Sequence, residues 1–62
     1  MTLASYEIET DWRGAIVSVT VRSKAIPVKR AKDLCSALGC GGVKIWLLRG
    51  NVRHLVWDVD AQ

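Results

Sequence analysis

Three side chains in the sequence could ligate a metal or act as a nucleophile: Cys35, Cys40 and His54, the last being the only histidine. The cysteines are separated by four residues and have no second cysteine pair to complete a zinc ribbon or finger. A catalytic thiol would also need a base within hydrogen-bonding reach. We therefore predict no metal, no cofactor and no catalytic residue. The cysteines are interpreted as packed thiols, with a disulfide between them as the alternative.

Carboxylates occupy alternate positions near the start of the chain, at Glu7, Glu9 and Asp11. Alternate residues of a strand share one face, so these three form an acidic row. The sequence contains no nucleophile elbow or phosphate-binding loop that would give such acids a catalytic role. The row is interpreted either as part of a docking surface or as charge that prevents edge association of an exposed strand face.

The longest run of positive charge, residues 22–32, carries five cations and no acid. Its second half is predicted to begin a helix, where positive charge opposes the helix dipole. One interpretation is an anion-binding or nucleic-acid-binding segment, and the other is a solvated helix face. The residues of this predicted site are Arg22, Lys24, Lys29, Arg30 and Lys32.

Hydrophobic spacing and turn residues predict the strands and the helix that carry these groups. Apolar residues alternate in four segments and recur at helical spacing in one. Pro27 suits the first helical turn, and Gly39 is expected to end the helix in a left-handed conformation. The predicted strands cover about 5–12, 15–22, 43–48 and 52–59, and the predicted helix covers about 27–38.

Each predicted hairpin has a preferred register. For the first, an even-numbered loop at Arg13-Gly14 pairs Ile8 with Val19 and Thr10 with Val17. For the second, a two-residue Gly50-Asn51 loop would pair Trp46 with Leu55. We prefer a three-residue loop in which Asn51 takes the left-handed position, because it collects most apolar side chains on the helix side, with Arg53 beside the turn as the one charged residue among them. The core face then has Val43, Ile45, Leu47, Leu55, Trp57 and Val59, and the outer face, which points away from the helix, has Lys44, Trp46, Leu48, Val52, His54, Val56 and Asp58.

The order strand, strand, helix, strand, strand predicts an α+β fold, ββαββ. We expect a four-stranded mixed sheet of order 2-1-4-3 with one helix packed on one face, because this keeps both hairpins and uses a right-handed crossover. In this arrangement the first and fourth strands are parallel neighbours. The topology is β-grasp-like, although the sequence has no motif of that class and lacks a C-terminal Gly-Gly.

Length and composition favour a single folded domain over residues 1–62. Half of the residues are hydrophobic, and nine Lys and Arg against six Asp and Glu give a net charge of +3. This charge is basic but low for a dedicated nucleic-acid arm. The N-terminal residues have neither a basic start nor a long apolar run, so we expect no signal peptide, no membrane span and a cytoplasmic location.

These observations predict a non-enzymatic protein-interaction module that docks on a protein partner through its outer sheet face. Its size is that of small inhibitors or regulators, including those that phages and other mobile elements use against host machinery. The apolar outer face would also accept a second copy of the chain as a homodimer. Nucleic-acid binding by the basic segment is the alternative function. The predicted protein-binding residues are Trp46, Leu48, Val52, His54, Val56, Glu7, Glu9 and Asp11.

Overall fold

The computed structural model describes residues 2–39 and 42–60, with only the backbone described for Val59 and Asp60. The predicted helix and strands differ from the observed elements by at most one residue at either end. In chain order, these elements are β1 (Ala4–Trp12), β2 (Ala15–Ser23), α1 (Val28–Leu38), β3 (Gly42–Arg49) and β4 (Val52–Asp60).

The four strands form one open sheet in the order β2-β1-β3-β4, and every neighbouring pair is antiparallel. We expected a mixed sheet in which β4 lay beside β1 in a parallel pair. Instead, β3 lies beside β1, and β4 is an edge strand. The chain therefore crosses from β2 through α1 to β3 on the far side of β1. This pairing differs from the β-grasp expectation.

Burial explains why β3, rather than β4, is central. Val43 and Ile45 of β3 are only 2% and 0% exposed. By contrast, Arg53, His54 and Asp58 of β4 are all exposed. A central strand loses solvent on both edges, so the strand with fewer charged groups is the less costly one to place there.

The first hairpin has the predicted register. Arg13 and Gly14 form its turn with φ of 53° and 81°, the positive values that a two-residue hairpin loop requires. Ile8 pairs with Val19, and Thr10 pairs with Val17. The even-numbered loop therefore brings the apolar side chains of both strands to the same face.

The second hairpin uses two registers joined by a β-bulge. Beside the turn, Trp46 pairs with Leu55, which is the two-residue register that we did not prefer. Farther along, Ile45 pairs with Trp57, which is the preferred three-residue register. Val56 is the extra residue between them. The positive φ of this turn, 56°, belongs to Gly50 and not to Asn51.

The core lies between α1 and the helix side of the two central strands. Its buried apolar side chains are Tyr6, Ile8, Ala31, Val43 and Ile45. Buried Thr10 donates a hydrogen bond from Oγ1 to the Gly42 carbonyl at 2.7 Å, which satisfies its hydroxyl inside the core.

The ends of α1 follow the sequence signals. Gly39 ends the helix with φ of 65° in the predicted left-handed conformation. Pro27 lies at the N-cap, immediately before the first helical residue, and no side chain caps the helix there. The first turn of α1 contains no acidic residue, so the positive end of the helix dipole is left without a local counter-charge.

Candidate protein-binding surface

The outer face of the sheet is ordered into rows that run across the strands. One row joins Thr20 of β2, Glu7 of β1, Trp46 of β3 and Leu55 of β4. Because pairs in register place their side chains on the same face, this row sets an acidic side chain, an aromatic ring and an aliphatic group side by side. Trp46 lies near the middle of this surface.

Arg53 covers Trp46. Its guanidinium carbon lies 4.2 Å from the centroid of the indole ring, within the range of a cation–π contact. The same guanidinium donates a hydrogen bond to Glu7 at 2.5 Å and lies 3.7 Å from Glu9. Contacts with Trp46, Glu7 and Glu9 therefore hold Arg53 over the ring, between the edge strand and β1.

The hydrogen bond to Glu7 also raises the pKa of the Arg53 guanidinium above its ordinary value. Slight desolvation opposes this increase, and the charges of Glu7 and Glu9 add to it. The shift favours the charged form of Arg53, which is the form that pairs with both carboxylates.

Trp46 lies on the outer face as predicted, but it does not stand freely in water. The ring is half-buried, and its Nε1 atom is buried with no hydrogen-bond acceptor among the described residues. The physical reason is the overlying Arg53, which the preferred register had placed on the helix side. The Trp46 ring is therefore covered by Arg53 and does not protrude from the outer face.

Two residues of this surface, Arg53 and Leu55, lie on the opposite side of the sheet from the one that the preferred register predicts. Leu55 is 48% exposed, and Ile16 on the distant β2 edge is 66% exposed. The preferred register already contained a conflict, because it put the charged Arg53 among core residues. A bulge in β4 removes that conflict, but hydrophobic alternation alone does not locate a bulge.

Three residues predicted for the outer face lie elsewhere. His54 pairs with the core-packed Leu47, so it shares the helix side of the sheet, and Val52 alternates onto the same side. Val56 packs against the core cluster, as its neighbour Trp57 does. The bulge turns these two successive residues toward the core, which an unbroken strand could not do.

Two residues of the acidic row, Glu9 and Asp11, line an open depression of about 450 Å³ at one end of the sheet. Glu9, Asp11 and Asp58 contribute carboxylates to its lining, together with Lys44 and the exposed Ile16. A predominantly acidic depression beside aliphatic surface suits a basic side chain better than an anionic ligand.

The structure separates the cations of the basic segment. Arg22 pairs with Ser5 on the outer face of β2, one edge of the sheet. Lys32 of α1 lies 5.8 Å from the centroid of Trp57 on β4, the opposite edge. All five cations are exposed, and within residues 2–39 and 42–60 none forms an ion pair. They therefore do not make one continuous patch.

The remaining chemistry predicted from the sequence is only partly visible. Cys35 is half-buried against the core and is disulfide-bonded, so the preferred packed-thiol interpretation is wrong for this residue, whereas Cys40 lies outside the described residues. Within the part of the chain that the structure describes, no group of three or more His, Cys, Asp or Glu could hold a metal ion. The only described helix, α1, is too short to cross a membrane.

Comparison of the chain with protein-family models, curated proteins and solved structures found no match in any of the three.

Proposed function

We propose that this protein is a non-enzymatic protein-interaction module, a small inhibitor or regulator that docks on a protein partner through the outer face of its sheet. The supporting observation is the stacked pair of Arg53 and Trp46 at the middle of that face. Trp and Arg are the residues most enriched among interface hot spots, particularly when neighbouring contacts exclude water. The ion pairs to β1 hold this pair in place, so little side-chain entropy would be lost on binding.

The surroundings of the pair indicate what the partner should offer. Leu55 and Ile16 are exposed aliphatic groups that would gain by burial against an apolar surface. The depression lined by Glu9, Asp11 and Asp58 would accept a Lys or Arg side chain. The partner is therefore expected to present apolar residues flanked by basic ones.

Two neighbouring residues of β4 provide a matched test, because Leu55 faces outward and His54 faces the helix side. Wild-type protein, Leu55→Asp and His54→Asp should each be used as bait in a quantitative pull-down from the native host. Proteins that bind through the outer face should be lost with Leu55→Asp and retained with His54→Asp. Identical recovery by all three baits would contradict the proposal.

A recovered partner permits a direct affinity measurement. Trp46→Ala should weaken binding by about 2 kcal/mol or more if the ring is a hot spot. Trp46 is half-buried, so circular dichroism must first show that the variant is folded. An unchanged affinity in a folded variant would remove Trp46 from the site.

Nucleic-acid binding is the second candidate, supported by the exposure of five cations without ion-pair partners in the described residues. Counterion release predicts an affinity that falls steeply with salt. A gel shift with mixed DNA and RNA at low and moderate salt tests this. No shift at low salt would exclude it, whereas loss of a shift in Lys29→Glu, but not in Leu55→Asp, would favour it over protein docking.

A further inference from the structure

The edge strand β2 has one side without a partner strand. It pairs only with β1, and the pairing continues from Ala15 to Ser23 without a register shift. Alternate backbone N–H and C=O groups along the other side are therefore free to pair with another strand. A regular nine-residue edge is a long template for such pairing.

The two edges of the sheet differ in how they are protected. β4 carries a bulge and charged residues, both of which discourage strand addition. β2 has neither a bulge nor a proline, and its single charged residue, Arg22, lies near its end. α1 packs over β3 and β1, so the helix-side valines of β2 are left partly open, with Val19 39% exposed. β2 is consequently the unprotected edge.

The sequence of β2 is complementary to itself. In an antiparallel pair of two copies, equivalent side chains share a face only if the two-fold axis lies midway between the two copies of the same residue. The midpoint of the strand is Val19, and an axis there pairs all nine residues. Val17 of each copy then faces Val21 of the other on the helix side, and Ser18 faces Thr20 on the outer side. Cross-strand valine pairs and hydroxyl pairs are both favourable in sheets.

Charges also match in this register. Arg22 of one copy faces Ile16 of the other, and Ile16 is paired with Asp11 of its own β1. Arg22 would then lie two strands from Asp11 of the other copy, roughly 10 Å between Cα atoms, which the long arginine side chain can span. Neither residue has an ion-pair partner among the residues described here. The two-fold axis creates this pair twice, which an unrelated strand would not do.

We propose that two copies of this chain associate through antiparallel pairing of β2 with β2, centred on Val19, to form one continuous eight-stranded sheet. This inference does not depend on the proposed function. The dimer would place the outer faces of both copies, each with its Trp46, on the same side of one sheet, so it could bind a partner at two points.

Sedimentation velocity and light scattering from micromolar to millimolar concentration test the proposal. The wild-type protein should reach twice the chain mass, and Val19→Lys should remain monomeric because it puts a charge at the dimer axis. His54→Lys, on the opposite edge, should dimerise as the wild type does. Circular dichroism checks that each variant is folded. A wild-type monomer throughout this range, or a dimer unaffected by Val19→Lys, would overturn the proposal.

A charge exchange tests the register while leaving the valines of β2 unchanged. Arg22→Asp and Asp11→Arg should each weaken dimerisation by roughly tenfold, because each replaces two attractions with two repulsions. The double variant should recover wild-type affinity. Failure of the double variant to recover it would overturn the axis at Val19.

Discussion

Arg53 stacks on Trp46 across the β3–β4 pair, with the guanidinium carbon 4.2 Å from the indole centroid. The contact exists because the bulge at Val56 changes which face Arg53 occupies. It converts the aromatic group at the middle of the outer face into a charged and partly apolar surface. Ion pairs to Glu7 and Glu9 fix its orientation.

Removal of this cover should expose the ring. Arg53→Ala is expected to increase acrylamide quenching of tryptophan fluorescence, because Trp46 loses the group that shields it. Arg49→Ala removes the same charge from an exposed position of β3 and should leave quenching unchanged. Equal quenching in the two variants would show that Arg53 does not shield the ring in solution.

The core should respond to a substitution that the surface tolerates. Ile8→Ala removes a side chain that is fully buried and is expected to lower the free energy of unfolding by about 2–4 kcal/mol. Ile16→Ala makes the same chemical change at a 66% exposed position. It should alter the free energy of unfolding by less than about 0.5 kcal/mol. Urea unfolding measures both, and similar losses would contradict the assigned core.

The bulge should contribute to stability mainly through the burial of Val56. Val56 is the extra residue between Leu55, which pairs with Trp46, and Trp57, which pairs with Ile45, so its deletion joins the two registers and leaves Trp57 on the helix side. Deletion of Val56 and Val56→Ala both remove a side chain that packs against the core, and each is expected to lower the free energy of unfolding by about 1–2 kcal/mol. Urea unfolding measures both, and a much larger loss from the deletion would contradict this role.

The positive charge at the start of α1 should reduce stability. Lys29→Glu introduces an acid into a first turn that has none and is expected to raise the free energy of unfolding by about 0.3–1 kcal/mol. The gain should shrink at high salt because screening weakens the dipole interaction. Lys24→Glu, outside the helix, is the control and should have little effect in thermal unfolding. A gain of equal size from both variants would indicate a general charge effect.

Local features could be predicted closely from the sequence because they depend on neighbouring residues. The first hairpin followed from strand alternation around Arg13-Gly14, and Gly39 ended the helix in the expected conformation. The orientation of Trp46 was also predicted, since alternation fixes it relative to the buried Ile45. Its covering by Arg53 was not, because that contact depends on an irregularity in the opposite strand.

The amino-acid sequence alone determined the type of each element and the residues available for the core, because hydrophobic period and turn chemistry act over a few positions. Tertiary structure decided which strand lies beside β1 and where β4 departs from regular pairing. The strand order depends on the burial of whole strands. β3 contributes Val43 and Ile45 to the core, whereas β4 keeps its charged residues at an edge. A free-energy difference between complete packings is not contained in any local pattern, so only the folded arrangement reveals the Arg53–Trp46 surface.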